Sequence, residues 1–173
     1  MSALHPAKRL LILCLLCTSP AGAVAQQATM PRAFELERRG NYEAAAEAYR
    51  AILSAKPGDV SALLGLERVL LPLNRSADIV PDVRAALAAS PSSPALYGVA
   101  LRAWGAADQP DSMRAVAERW AKVAPADEAP YREWGAAAMA ARQRDAALEA
   151  YRLASGGEGT ATTVQLHAYS TNF

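Results

Sequence analysis

The residue types that most often carry catalysis are rare in this chain of 173 residues. It contains two histidines and two cysteines: His5, Cys14 and Cys17 lie near the start, and His167 lies near the other end. A Cys–His or Ser–His–Asp site needs a base held by rigid elements, and a zinc site needs several His, Cys or carboxylate ligands close together. The sequence therefore predicts neither a nucleophilic site nor a metal site.

Paired carboxylates are the remaining candidates for acid–base chemistry. Glu35 with Glu37, and Glu128 with Glu133, are close in sequence, but glutamates on helices are usually solvated surface. The chain has no glycine-rich phosphate loop, since Gly156-Gly157 follows a helix-forming run and fits a helix C-cap. We therefore predict that the protein is not an enzyme and that it uses no cofactor.

The first 25 residues have the pattern of a secretory signal peptide. Lys8 and Arg9 precede the apolar run 10–17, and Ala23-Val24-Ala25 fits a small-residue cleavage site. Eight apolar residues reach only about 12 Å as a helix, whereas the hydrocarbon core of a membrane is about 30 Å thick. We expect residues 1–25 to be removed on export, which leaves no membrane span. Both cysteines leave with them, so the exported chain contains no disulfide.

Charge and composition narrow the class of partner and the location. The formal net charge is +1, and removal of residues 1–25 takes away two basic residues and no acidic one. This balance is not typical of nucleic-acid binding, and we predict no nucleic-acid partner. The composition is rich in Ala and Arg, which favours a bacterium with two membranes, so the expected location is the periplasm.

The elements that would have to position any site recur along the chain. Pro57, Pro91 and Pro125 are spaced 34 residues apart, and each follows an Ala-rich helical run. A fixed period of this size is typical of a solenoid built from repeated helix pairs. The register gives four units, 26–59, 60–93, 94–127 and an incomplete 128–161. Gly40, Asn74, Asp108 and the segment 141–145 mark the turn inside each unit.

These prolines and turn residues predict where the helices begin and end. Since Pro81 lies about one turn inside a helical run and lacks a backbone donor, we expect a bent or late-starting helix there. The predicted helices cover residues 28–39, 42–56, 60–73, 76–89, 94–107, 110–124, 128–141 and 144–155.

The repeat resembles the tetratricopeptide repeat (TPR) family, whose units carry W-x2-LG-x2-Y in a first helix, then A-x3-F and a closing Pro. The fourth unit matches best, and the second and third units depart from the pattern in having Glu67 and Leu101 where a small residue is expected. The resemblance implies an all-α fold, a right-handed α-solenoid of antiparallel helix pairs with about four units. The residues that carry the match are Ala45, Tyr49 and Pro57, then Leu63, Leu66, Leu70, Val83 and Pro91, then Tyr97, Ala100, Trp104 and Pro125, and last Tyr131, Trp134-Gly135, Ala138, Ala147 and Tyr151.

The tryptophans have two interpretations. Trp104, Trp120 and Trp134 could stack on a ligand, but aromatic residues at helical spacing usually fill the core, and we predict that these three do so.

The resemblance also implies a concave groove, lined by the first helices of the units, that holds an extended peptide or a partner helix. Carried over to this chain, the partner-binding residues are Leu64, Arg68, Arg102, Arg132 and Met139. The same face would include Ser61, Leu71, Gly98, Gly105, Glu133 and Ala136.

Two interpretations of the groove arginines remain open. Arg68 and Arg102 occupy the same place in successive units and Arg132 is nearby in the next, which makes a basic ladder suited to an acidic segment or a chain terminus. Asn residues typical of the peptide-terminus clamp in some relatives are absent. Alternatively, the arginines pair with neighbouring Asp or Glu side chains.

The predicted organisation is a signal peptide at 1–25, a TPR-like array at 26–157 and a disordered or atypical tail at 158–173. The tail has no helical apolar period, and a disordered end, a truncated or altered reading frame and a functional end segment all remain open. The predicted function is that of an exported, non-catalytic adaptor or assembly scaffold that binds a protein or peptide. The alternative is a self-associating component of an envelope assembly, with Leu148 and Leu153 docking on a second copy, or a fragment of a longer TPR protein.

Overall fold

The computed structural model describes residues 29–156, which form eight α-helices joined by short turns. The predicted signal peptide, His167 and the predicted tail lie outside these residues. Each observed helix coincides with a predicted one to within a few residues. The helices are α1 (Met30–Arg38), α2 (Tyr42–Ala55), α3 (Val60–Leu70), α4 (Val80–Ala89), α5 (Pro94–Ala106), α6 (Pro110–Val123), α7 (Ala129–Ala140) and α8 (Arg144–Ala154).

The unit-closing prolines end the second helix of the first three units. Helices α2, α4 and α6 stop two residues before Pro57, Pro91 and Pro125 respectively. The residue before a proline is restricted to extended backbone, so a helix cannot continue up to it. The helix ends that recur every 34 residues therefore follow from the backbone restriction that each proline imposes.

The turn inside each unit repeats at the same interval. Gly40, Asn74, Asp108 and Arg142 all have a left-handed backbone, with φ of +76°, +56°, +53° and +61°. After each of them, the next amide donates to a carbonyl five residues back, as Asn41 N–H does to Leu36 O at 3.0 Å and Gln143 N–H does to Ala138 O at 2.8 Å. This Schellman arrangement ends the first helix and reverses the chain. The predicted turns at the first three positions are confirmed, and Arg142 fills the fourth.

The expected irregularity at Pro81 is present as a late helix start. A short 3-10 helix covers Ser76–Ile79, and α4 begins only at Val80, which places Pro81 in its first turn. A proline is tolerated there because the first amides of a helix have no intrahelical acceptor.

Most consecutive helices pack against each other, while in the second unit α3 packs on the 3-10 helix that precedes α4. The units stack into a right-handed α-solenoid with about four TPR-like units. The predicted core role of the three tryptophans is confirmed, since Trp104, Trp120 and Trp134 are 6%, 5% and 1% exposed. Tyr97 stacks on Trp120 with ring centres 5.7 Å apart. One continuous apolar core therefore runs through the described units. Within residues 29–156, no helix has both the length and the apolar character needed to cross a membrane.

Close helix approach depends on two glycines. A Cβ at Gly135 would lie 2.6 Å from the Tyr151 ring, and a Cβ at Gly65 would lie 2.3 Å from the Tyr49 ring. Gly135, one of the residues that carry the family match, therefore lets α7 and α8 approach closely. Gly65 supplies the close contact between the first two units, although the position where the family pattern expects a small residue is occupied by Glu67.

Candidate functional site

The first helices of the four units, α1, α3, α5 and α7, carry the predicted groove residues. We call the surface that they share the first-helix face. Leu64 on α3 is 37% exposed, and Leu71, directly after α3, is 71% exposed. Gly105 differs from the expectation because it is buried, and a side chain there would meet Ala141 and Met113. The exposed apolar surface of the first-helix face therefore lies on α1, where Phe34 is 46% exposed, on α3 and at the start of α5.

A charged network joins the first two units on this face. Arg68 donates through Nε and Nη2 to the two carboxylate oxygens of Glu37, at 2.7 and 2.9 Å. The Tyr49 hydroxyl donates to the same carboxylate at 2.6 Å, and the Arg68 guanidinium lies 5.9 Å from the centre of the Phe34 ring. Such a bidentate pair fixes both the position and the orientation of the guanidinium.

The pKa values of this network follow from its contacts. The hydrogen bonds from Arg68, and next the one from Tyr49, lower the pKa of Glu37 below its ordinary value, against the opposing effect of burial. Burial and the neighbouring Glu37 carboxylate raise the pKa of the Tyr49 hydroxyl above its ordinary value. Glu37 is therefore held as a carboxylate and Tyr49 as a neutral donor.

A second bidentate pair joins the second and third units. Arg102 donates to the two carboxylate oxygens of Glu67 at 2.6 and 2.8 Å, and this bond raises the pKa of Arg102. Of the two interpretations of the groove arginines, the structure therefore supports the second at Arg68 and Arg102: each pairs with a neighbouring acidic side chain. Both guanidinium forks are occupied by carboxylates of the same chain.

The other predicted site residues have no such contacts. Arg132 is exposed, and its guanidinium makes no ion pair with any residue in 29–156. Met139 is half-buried on α7. The five predicted residues therefore share the first helices, but the structure divides them into two paired arginines, one unpaired arginine and two apolar side chains.

A cleft of about 320 Å³ opens on the first-helix face between α3, α5 and α7. It includes Leu64 and Arg102 from the predicted set. Its lining is aliphatic except for one aromatic and two charged side chains, and consists of Val60, Leu64, Pro94, Ala95, Gly98, Val99, Arg102, Trp120, Ala129 and Glu133. The cleft is lined by the N-terminal halves of α3 and α7 and by residues along α5 as far as Arg102.

A larger cleft of about 450 Å³ lies between α2, the 3-10 helix, the start of α4 and the turn between α5 and α6. Its polar groups already have partners within the chain. Arg50 pairs with Asp82 at 3.3 Å and donates to the Asp78 carbonyl at 3.1 Å. This cleft therefore offers a ligand fewer unpaired polar groups than the first-helix cleft does.

The sequence prediction missed the acidic partners Glu37 and Glu67, although a signal for them exists. They lie 31 and 35 residues before Arg68 and Arg102, about one repeat, which is the separation of contacts between stacked units. It also missed that Trp120, on a second helix, reaches the cleft between the first helices.

Residues 29–156 contain no histidine and no cysteine, and they bring together no group of three acidic side chains that could hold a metal ion. The chemistry of the first-helix face is therefore that of salt bridges, hydrogen bonds and apolar contact.

Comparisons with known proteins support the fold. No protein-family model matches the chain, and no curated protein sequence matches it. Two crystal structures of MamA are each 19% identical in sequence to this chain, with a TM-score of 0.52. Each match covers 75% of this chain, and the matches cover 70% and 76% of the two MamA chains. The structure of MamA 41-end from Desulfovibrio magneticus RS-1 is 18% identical over 74% of this chain and 72% of its own, with a TM-score of 0.50. At this identity the likeness shows the fold alone, and with the helix pairs it confirms the α-solenoid predicted from the repeat.

Proposed function

We propose that the protein is a non-catalytic adaptor or assembly scaffold that binds a protein or peptide on its first-helix face. The observation that carries this proposal is the cleft of about 320 Å³ between α3, α5 and α7, with the half-exposed Leu64 at its edge. Packed helix pairs hold the cleft in shape, so binding there would be an equilibrium event in a largely preformed site. Leu64, Arg68, Arg102, Arg132 and Met139 are the proposed contact residues.

Export to the periplasm is the second part of the proposal. It rests on the pattern of residues 1–25 and on the composition of the chain. The test is to express the full chain with a C-terminal tag in a bacterium with two membranes and to determine the N-terminus of the product. A periplasmic product beginning near Gln26 is expected, and an uncleaved cytoplasmic product would contradict this part.

An acidic partner remains a prediction for the arginines of this face. Because Glu37 and Glu67 already hold Arg68 and Arg102, an acidic partner would have to displace those carboxylates or use Arg132. The matched comparison is the double variant Arg68→Ala/Arg102→Ala against Arg119→Ala, an exposed arginine on α6. Capture of the partner unchanged by the double variant would contradict a role for the two arginines.

The binding face is tested by site-specific photo-crosslinking in the native cells. A photoreactive residue at Leu64 is expected to trap a partner, and one at Ala51, an exposed position on the second helix α2, is expected to trap none. Trapping at Ala51 without trapping at Leu64 would mean that the partner binds outside the first-helix face. No trapped partner at any exposed position would contradict the adaptor function.

Self-association is the second candidate, and the apolar surface of the last helix favours it. Leu153 is 46% exposed on α8, and Leu148 on the same helix is half-buried. Size-exclusion chromatography with light scattering over a range of concentrations separates the two functions. A mass that rises with concentration in the parent protein and not in Leu153→Ser supports self-association, and a monomer throughout removes it.

A further inference from the structure

We infer that the first-helix cleft binds an aliphatic side chain of an extended partner segment that carries a lysine or arginine at the adjacent position. The inference rests on the proposed function and specifies the chemistry of the partner. It depends on three features of the cleft: the space above Gly98, the pairing of Arg102 with Glu67, and the exposed Glu133 carboxylate, which makes no hydrogen bond with a described side chain.

The space in the cleft arises from a missing side chain. A Cβ at Gly98 would have only one neighbour within 4 Å, an Arg102 guanidinium nitrogen at 3.8 Å. Leu64 and Val99 line the same cleft, and Trp120 is held in place behind the first helices by stacking on Tyr97. A volume of about 320 Å³ is at the lower end for a ligand pocket, so it suits one or two side chains. Aliphatic walls favour an aliphatic occupant, because burial of apolar surface is the main gain available there.

The two charged side chains that line the cleft are not equivalent. Arg102 makes two hydrogen bonds of 2.6 and 2.8 Å to Glu67, so its charge and its fork are already satisfied. Glu133 is exposed and makes no hydrogen bond with any side chain in residues 29–156, but its carboxylate lies near enough to Arg102 to add to the rise in the pKa of that guanidinium. Arg132 precedes it in sequence, but does not line the cleft. Two carboxylates, Glu67 and Glu133, therefore share the one guanidinium of Arg102, and the net charge of these three side chains is negative.

Charge complementarity follows from this difference. A partner carboxylate at this position would meet the Glu133 carboxylate, while the nearest guanidinium is already bound to Glu67. A partner ammonium or guanidinium would pair with Glu133 and leave the Glu67–Arg102 pair intact. The cleft thus selects an aliphatic side chain next to a cation.

The test uses short peptides and a reporter in the cleft. The probes are the acetylated and amidated peptides Gly-Ser-Leu-Lys-Ser-Gly, Gly-Ser-Leu-Gln-Ser-Gly, Gly-Ser-Leu-Glu-Ser-Gly and Gly-Ser-Ser-Lys-Ser-Gly. Each is titrated to millimolar concentration into the purified, isotope-labelled protein. The backbone amide of Gly98 and the indole N–H of Trp120 report binding by nuclear magnetic resonance. The indole signals of Trp104 and Trp134, which do not line the cleft, serve as internal references.

The expected order of affinity is Leu-Lys, then Leu-Gln, then Leu-Glu, with Ser-Lys binding too weakly to detect. The preference for Lys over Gln should be about two- to fivefold, as for an exposed ion pair, and should disappear in Glu133→Gln. Gly98→Leu fills the cleft and should weaken Leu-Lys binding at least about tenfold, because the peptide side chain loses its place of burial. Glu128→Gln, an exposed glutamate that does not line the cleft, is the matched control and should behave as the parent.

Three results would overturn the inference: a preference for Leu-Glu, an affinity unaffected by Gly98→Leu in a protein with native circular dichroism, or no shift at Gly98 with any peptide. If the peptides fail while photo-crosslinking traps a partner through Leu64, the adaptor function stands and the assignment of its partner chemistry is wrong. If crosslinking also traps nothing, both fail.

Discussion

Gly65 of α3 lies directly against the ring of Tyr49 on α2, so closely that a Cβ at Gly65 would be 2.3 Å from the nearest ring atom. The ring cannot move aside, because Tyr49 is fully buried and its hydroxyl is bonded to Glu37 at 2.6 Å. This contact joins the first unit to the second. It explains why the chain tolerates a glycine in the middle of a helix, where glycine normally costs about 1 kcal/mol.

We therefore predict that Gly65→Ala lowers the free energy of unfolding by about 1 to 3 kcal/mol, because the added methyl group overpacks the interface between the units. Gly98→Ala is the matched control on the neighbouring first helix. Its Cβ has open space, so the gain in helix propensity should stabilise the protein by about 0.5 to 1 kcal/mol. Urea denaturation followed by circular dichroism measures both variants. Equal effects of the two substitutions would show that the Tyr49 contact is unimportant.

The Glu37 network predicts an acid-sensitive part of the stability. The pKa of Glu37 is lower in the folded protein than its ordinary value of 4.5, so its contribution is complete above about pH 4.5 and is lost as the pH falls from there through the folded pKa. Glu37→Gln should therefore lower the thermal midpoint at neutral pH and flatten its fall in acid.

The control for this pH series is Glu47→Gln, since Glu47 is exposed on α2 and has no ion pair in the described chain. It should leave both the midpoint and its pH dependence close to those of the parent. Parallel acid profiles for the parent and Glu37→Gln would contradict the assignment of the acid-sensitive stability to this carboxylate.

The pair between Arg102 and Glu67 predicts a measurable coupling across the boundary between the second and third units. Arg102 is 46% and Glu67 27% exposed as side chains, so water screens the pair and we expect a coupling of about 0.5 to 1 kcal/mol. A double-mutant cycle with Arg102→Ala, Glu67→Gln and both together measures it. Additive effects of the single changes would mean that the bidentate geometry contributes nothing to stability.

The same cycle run on Lys56 and Asp59 provides a weaker comparison pair. Their nitrogen and oxygen atoms are 3.3 Å apart, and the Lys56 side chain is 74% exposed. A flexible lysine that is mostly in water should couple less than a bidentate arginine. A larger coupling for this pair than for Arg102 and Glu67 would contradict the importance of the fork geometry.

Much of the fold could be predicted from the sequence because backbone constraints mark the repeat. Pro57, Pro91 and Pro125 end the helices that precede them, and Gly40 and Asn74 suit left-handed turns, so local chemistry fixes these helix boundaries. The site was less predictable. That Arg68 and Arg102 are held by Glu37 and Glu67 depends on how far one unit rotates relative to the next, and no short stretch of sequence encodes that rotation. The contact of Gly65 with Tyr49 was also not predicted, because it lies between two units, at a position for which the family pattern specifies no small residue.

The last prediction concerns Arg142, which occupies the left-handed position that Gly40, Asn74 and Asp108 fill in the earlier units. A left-handed backbone costs a residue with a Cβ about 1 to 2 kcal/mol, and arginine has no short polar side chain to reduce that cost, as Asn and Asp have. Arg142 is exposed and forms no ion pair with any described residue, so Arg142→Gly removes the strain without removing a contact. We expect it to raise the free energy of unfolding by about 0.5 to 1 kcal/mol, part of the strain relief being offset by the greater freedom of glycine in the unfolded chain.

The reverse change at the equivalent turn is Gly40→Ala. The added Cβ has no steric neighbour within 4 Å, so this variant should destabilise the protein by a similar amount through backbone conformation alone. Thermal and urea denaturation of the two variants should therefore move in opposite directions, and a destabilising effect of Arg142→Gly would show that the side chain does more at this turn than occupy a strained position.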